Sequence, residues 1–178
     1  MNQGLWSAVL SFPPIARVRR NHALEHATIQ VLSKRDTTRR LAGRSSFHGF
    51  YLYGDVATKQ VLEAAQEGLQ RLRTGQRELA IHPSCGSNYV VAGAVAGMGA
   101  FAALGGFFGH RQEGLRDRVA RLPLAWAVAT MGVILSRPLG AALQAYVTTD
   151  ADVGDLRIHS VIRTEQAGAV VHLVRTQS

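Results

Sequence analysis

The chain has 178 residues, of which 47% are hydrophobic, and it carries a formal net charge of +8. That length suits one ordinary domain, and the charge suits a nucleic acid or an anionic membrane leaflet as partner. No basic motif interleaved with aromatic residues is present, so we predict that nucleic acid is not a partner. The single cysteine, Cys85, excludes an internal disulfide.

Residues 1–20 are predicted to form an N-terminal interfacial segment. Apolar side chains between Leu5 and Phe12 precede Arg17, Arg19 and Arg20, a composition that suits the boundary beside anionic headgroups. The alternative is a frayed terminus that packs on the core. The run lacks a basic start and a small-residue cleavage site, so it is not predicted to be a signal peptide.

Residues 21–88 are predicted to be a soluble α/β part. Asn21 is a favourable N-cap for a helix through HALEHATIQVLSK. FHGFYLYG and RELAIH are expected to be strands, and VATKQVLEAAQEGLQRLR has the apolar spacing of a second amphipathic helix. Residues 148–178 contain LRIHSVIRT and AVVHLVRT separated by EQAG. This alternation predicts a β-hairpin that packs on the 21–88 part.

Residues 89–147 are predicted to be a transmembrane hairpin with spans at about 89–108 and 122–147. The first is a run of twenty uncharged residues, about the length that crosses a hydrocarbon core as a helix. The second contains Arg137 and Pro138 and is expected to be kinked, with a re-entrant or interfacial segment as the alternative. The predicted fold class is therefore an α+β membrane protein, in which the hairpin interrupts a small mixed sheet with two amphipathic helices.

The predicted location is the cell's inner (plasma) membrane, as a multi-pass protein in the lipid bilayer. The basic residues near the span ends are almost balanced between the two sides, so they do not set the orientation. The absence of a signal sequence and the bulk of the soluble part favour a cytoplasmic soluble part. Gly93 and Gly97 form a GxxxG pair, which would let a membrane-protein partner or a second copy of the chain approach closely.

A candidate reactive centre begins with His22, Glu25 and His26, which spell H-x-x-E-H. Residues at i, i+3 and i+4 share one helical face. Two imidazoles one turn apart can hold zinc, and a carboxylate between them can take a proton from a metal-bound water. The order is that of the inverzincin metallopeptidases. The pattern favours a zinc-dependent hydrolase, most simply a peptidase, with Glu25 as general base.

The third zinc ligand is left open by the sequence. His82 and Cys85 flank the turn HPSC and can ligate through imidazole nitrogen or thiolate. Glu63 and Glu67 on the second helix are further candidates, since inverzincins use a downstream glutamate. The competing interpretation is that the histidines form a structural polar cluster.

Two other functions remain open. Cys85 could act as the nucleophile of a thiol hydrolase, with a histidine as base and the Gly86 and Ser87 amides as an oxyanion hole. Alternatively, the protein is a non-enzymatic membrane scaffold that binds a partner through its glycine-rich span. An acidic group after the second span, with Asp150, Asp152 and Asp155, could bind a cation or cap that span.

NHALEHATIQVLS, GFYLYGDV, ELAIHPSCGSN, RPLG and TTDAD resemble the bacterial membrane family catalogued as a domain of unknown function, DUF6391. The resemblance covers about residues 20–160. It implies membership of a membrane-protein group without an assigned reaction, and it supplies no catalytic residues. The zinc and thiol hypotheses therefore rest on the residues alone.

Overall fold

The computed structural model describes residues 3–106, 114–166 and 168–178. The chain divides into two compact units, each described by itself below. The first contains Met1–His82 and Gln144–Ser178, and the second is Pro83–Leu143.

The first unit is built on a four-stranded sheet with the order β1-β2-β4-β3. The strands are β1 (Ala42–Ser46), β2 (Gly49–Tyr53), β3 (Arg157–Gln166) and β4 (Ala169–Gln177). All three pairings are antiparallel. The prediction of a mixed sheet is wrong, because β1–β2 and β3–β4 are hairpins and the two hairpins meet through an antiparallel β2–β4 pair.

The described part of the first unit also contains three helices and a 3-10 turn that precede the second unit in the chain. They are α1 (Gln3–Ser11), α2 (Pro13–Arg35), α3 (Thr58–Arg73) and the turn Arg77–Ala80. The core includes Leu24 of α2, Phe50 of β2 and Val61 of α3, all fully buried. Helix α2 begins eight residues before the predicted N-cap, because Pro13 and Pro14 occupy its first turn, where a missing N–H costs nothing. Asn21 is instead a buried residue in the middle of the helix.

The predicted strand RELAIH is wrong, because residues 77–80 form the 3-10 turn. Side chains of α2 rather than a neighbouring strand satisfy its carbonyls. Gln30 donates to the carbonyls of Leu79 and Ile81 at 2.9 and 3.0 Å, and the carbonyl of Ala80 bonds to a histidine of α2. This turn leads directly into His82.

The second unit contains α4 (Gly86–Ala103), α5 (Leu115–Ala120) and α6 (Leu122–Leu143). Helices α4 and α6 pack antiparallel, since Gly132 lies against Ala96 and Gly140 lies against Asn88. Gly132, Ser136 and Gly140 are buried at intervals of four residues, so α6 presents one small-residue face to α4. Helix α6 continues through Pro138 without interruption. It is followed by a π-helical turn, Gln144–Thr148, which belongs to the first unit.

The predicted two-helix transmembrane hairpin is wrong. Within the described residues, one helix, Leu122–Thr148, is long and apolar enough to cross a membrane by length and composition. Helix α4 has only 18 residues and begins with Gly, Ser and Asn. Its many glycines and alanines carry no charge, but they also bring little apolar surface. Residues 107 and 108 of the predicted first span lie outside the described residues.

Candidate metal centre

Helix α2 places His22 and His26 one turn apart on the same face. Their ring centroids are 4.3 Å apart, and their ring nitrogens include a pair within 4.8 Å of each other. His26 is 1% exposed and His22 is half-buried. The i, i+4 spacing in the sequence is therefore realised as two neighbouring imidazoles at the edge of the core.

Both rings are held through Nδ1 by backbone carbonyls. His22 Nδ1 lies 2.9 Å from the carbonyl oxygen of Thr148, and His26 Nδ1 lies 2.7 Å from that of Ala80. A carbonyl oxygen can only accept, so each Nδ1 carries the proton and each Nε2 is the unprotonated nitrogen. Histidines that ligate metals are typically fixed in this way through their second nitrogen.

The Nε2 atom of His26 is buried and has no hydrogen-bond partner among the described residues. A buried polar atom without a partner costs about 1–3 kcal/mol, so it calls for an explanation. A metal ion bound at this lone pair would remove the penalty, because the ion takes the place of the absent hydrogen-bond donor.

His82 approaches the pair from the segment after the 3-10 turn. Its ring centroid lies 5.6 Å from that of His26. The side chain of Gln144, fully buried, holds its backbone: Oε1 accepts from the His82 amide at 2.7 Å, and Nε2 donates to the His82 carbonyl at 3.1 Å. Two imidazoles on one tetrahedral zinc, with Zn–N about 2.0–2.1 Å, have centroids about 5 Å apart. The spacings of 4.3 and 5.6 Å lie on either side of that value.

Glu25 is buried on α2 with its carboxylate against β1. Ser45 donates a hydrogen bond from Oγ to Glu25 Oε2. A Cβ at Gly43 would lie 2.2 Å from Glu25 Oε1, so only glycine leaves room for the carboxylate there. The hydrogen bond and the absent Cβ together fix where this carboxylate lies.

The two glutamate candidates lie elsewhere. Glu63 is in ion-pair range of Arg35 at 3.7 Å, and Glu67 pairs with the same arginine at 2.7 Å, so both contribute to a charged surface between α2 and α3. Cys85 precedes the first residue of α4 in the second unit, where its Sγ lies 3.2 Å from Ser87 Oγ.

The comparisons with known proteins establish the family. The sequence profile of DUF6391, described as a domain of unknown function, matches residues 17–161. The chain belongs to the DUF6391 family. A curated relative, an uncharacterized protein of Picosynechococcus sp. (strain ATCC 27264 / PCC 7002 / PR-6), is 39% identical over 97 residues, which cover 47% of each chain. The chain thus spans about half the length of that relative. No solved structure matches, and neither match states an activity or a membrane location.

Sequence reasoning missed the residues of this DUF6391 chain that position the histidines. Gln144 and Thr148 follow His82 by more than sixty residues and act through a side-chain amide and a backbone carbonyl. Gln30, one turn beyond His26, could have been found as a third polar residue on the same face of α2. No local signal identifies the Ala80 carbonyl.

Proposed function

We propose that the protein is a membrane-associated, zinc-dependent hydrolase that cleaves peptide bonds. The supporting observation is the buried lone pair at His26 Nε2, which has no hydrogen-bond partner among the described residues and lies beside a second histidine fixed in the same tautomer. His22, His26 and His82 would supply three nitrogens, leaving the fourth position of a tetrahedral zinc for water.

In this proposal Glu25 is the general base. A zinc ion held by the three histidines would supply a Lewis acid that makes water easier to deprotonate. Glu25 would accept a proton from the water that adds to the peptide carbonyl and would pass it to the leaving amine, so that one water is consumed for each bond broken.

Metal analysis of the purified full-length protein tests the site first. We expect about one zinc per chain in the wild type and a clear loss in His26→Ala. His159→Ala is the matched control, because His159 is an exposed residue of β3. A wild-type content below about 0.2 zinc per chain that does not change in His26→Ala would reject the metal site.

Glu25→Gln tests the catalytic role separately. We expect this variant to retain zinc and to lose cleavage of a mixed peptide library followed by mass spectrometry, by about 10²–10⁴-fold as is usual for a general base. Glu63→Gln, on the charged surface, should cleave like the wild type. Retention of full activity by Glu25→Gln would remove Glu25 from the mechanism.

The third ligand and the rival functions are separated by further variants. Zinc loss in His82→Ala, with zinc retained in Cys85→Ser, would assign the third position to His82, and the reverse result would assign it to Cys85. A thiol hydrolase would lose activity in Cys85→Ser and be unaffected by chelators. A scaffold would keep its function in Glu25→Gln and lose a co-purifying partner when Gly93 and Gly97 become Leu.

We place both flanks of the apolar helix on the cytoplasmic side. β2 precedes that helix and β4 follows it, yet the two strands are hydrogen-bonded in one sheet. A single crossing of the membrane would put these two paired strands on opposite sides of it. Lys59→Cys and Arg157→Cys, each combined with Cys85→Ser, put a thiol before and after the helix. In intact cells neither should react with an impermeant maleimide, and both should react after lysis. Opposite reactivity of the two sites would contradict the proposal.

A further inference from the structure

The start of the first unit carries an apolar surface that nothing in the zinc proposal uses. Helix α1 exposes Leu5 and Trp6 at 70% and 65%, and Phe12 is exposed at 56% just beyond the helix. Val9 and Ile15 are exposed to a smaller extent. Large apolar side chains grouped on a short helix are typical of segments that lie in the headgroup region of a membrane.

Arg19 joins α1 to the last turn of the apolar helix. Its guanidinium donates to the carbonyls of Val147 at 2.7 Å and Thr149 at 2.8 Å, and also to that of Leu10, at the end of α1, at 3.3 Å. One side chain therefore holds α1 beside the end of the helix that is long and apolar enough to cross a membrane. Tyr146 in that end is 75% exposed. Exposed Trp and Tyr side chains are typical of a membrane–water interface.

A surface pocket of about 420 Å³ opens beside α1 and contains two further arginines, Arg17 and Arg20. Arg17 donates to the Thr176 carbonyl at 2.9 Å and stacks on the ring of Phe47 at 4.6 Å. Arg20 lies 3.9 Å from a carboxylate oxygen of Asp150 and of Asp155.

The balance of groups at this pocket favours an anion. The Nε atoms of Arg17 and Arg20 are buried and have no hydrogen-bond partner among the described residues. Asp155 also lines the pocket, and the two arginines outnumber it. Arginine forks match phosphate oxygens well, and the two guanidinium groups lie at one end of the apolar surface.

We propose that α1 and this pocket form a docking site for an anionic phospholipid surface. Leu5, Trp6 and Phe12 enter the boundary between headgroups and acyl chains, and a lipid phosphate binds between Arg17 and Arg20. The acidic group after the apolar helix thus has a part in this site. Asp150 and Asp155 orient Arg20 rather than bind a cation.

The experiment follows Trp6 in the full-length chain. The protein has two tryptophans, so Trp126→Phe leaves Trp6 as the reporter. The protein is reconstituted into bilayers of phosphatidylcholine, with or without phosphatidylglycerol, that contain lipids brominated at defined depths. We expect shallow bromines to quench Trp6 fluorescence and phosphatidylglycerol to strengthen the quenching.

Arg17→Gln with Arg20→Gln should abolish the response to phosphatidylglycerol. Removal of two arginines from an anionic surface corresponds to about a thirtyfold shift in the equilibrium between lipid-contacting and lipid-free Trp6. Arg40→Gln with Arg77→Gln removes the same charge from exposed positions and should respond like the wild type. If the double variant does not fold by circular dichroism, Leu5→Ser tests the apolar half independently and should reduce quenching without removing the charge.

Three results would overturn the proposal. The first is a Trp6 that no brominated lipid quenches, and the second is a phosphatidylglycerol response that survives loss of both arginines. The third is inorganic phosphate reproducing the response in pure phosphatidylcholine, which would assign the pocket to a soluble anion.

Discussion

His26→Leu distinguishes a metal ligand from a structural histidine by its effect with and without zinc. Leucine has nearly the volume of histidine but cannot bind metal or form hydrogen bonds. The substitution removes the unpartnered Nε2, a gain of about 1–3 kcal/mol, and deprives the Ala80 carbonyl of its 2.7 Å bond, a loss of similar size. Without metal, the free energy of unfolding should therefore stay within about 2 kcal/mol of the wild type.

Zinc should raise the free energy of unfolding of the wild type but not that of His26→Leu. At a free zinc concentration 100 times the dissociation constant, a ligand that binds only the folded state stabilises it by about 2.7 kcal/mol. We expect the wild type to gain this amount and His26→Leu to gain almost none. The free energy of unfolding is measured by denaturant titration in mild detergent, in zinc buffer and in chelator, followed by circular dichroism.

His159→Leu, on the exposed face of β3, is the control and should respond to zinc as the wild type does. Equal zinc responses in wild type and His26→Leu would refute the metal assignment. So would a loss above about 4 kcal/mol in chelator, because it would show that His26 stabilises the metal-free core.

Further outcomes follow from other contacts. Gln144→Leu removes two hydrogen bonds to one backbone segment, so zinc affinity should fall about 10–100-fold, and an unchanged zinc titration would contradict the positioning role. Burial, reinforced by the charge of Arg163, lowers the pKa of His172 below its usual 6.5, with Asp55 opposing. As the pH falls, the histidine of the unfolded chain binds a proton at a higher pH than that of the folded chain. The stabilisation is therefore complete above pH 6.5 and is lost as pH falls toward the folded pKa. In chelator, His172→Gln should therefore show a smaller drop in denaturation midpoint between pH 7.5 and 5 than wild type. Gly132→Leu should cost about 1–3 kcal/mol in thermal unfolding, because a Cβ there lies 3.2 Å from the α4 backbone, whereas Gly93→Leu should be nearly neutral.

Elements with a strong local pattern were predictable from the sequence. LRIHSVIRT and AVVHLVRT alternate over their whole length, and β3 and β4 lie there. Helix α3 follows its 3.6-residue apolar spacing and begins at Thr58. Strand β1, AGRSS, has no such pattern. It pairs with β2 in a hairpin, and its Gly43 makes room for Glu25 of α2, so pairing and packing rather than propensity determine it.

The site was predictable only as far as helical geometry reaches. The i, i+4 spacing brings His22 and His26 together because they lie on one helix. The position of His82 depends on Gln144, sixty-two residues later, and no local pattern encodes that contact. The prediction of the membrane hairpin was wrong for a related reason. A run without charges shows only that charged residues are absent, whereas a membrane span also needs a large apolar surface.

Two buried histidines of the first unit each have one ring nitrogen without a hydrogen-bond partner among the described residues, and their surroundings separate them. His172 Nε2 lies 3.4 Å from the Thr58 hydroxyl, and its unpartnered Nδ1 belongs to no group of three metal-ligating side chains among the described residues. Its lowered pKa keeps it neutral, which suffices for a core position. His26 has the same kind of unpartnered nitrogen, but the imidazoles of His22 and His82 both lie close to its ring. An unpartnered buried nitrogen alone indicates a cost in folding free energy. The metal-ligating side chains around it indicate which bound group could offset that cost. On that criterion we propose the metal site at His26 and not at His172.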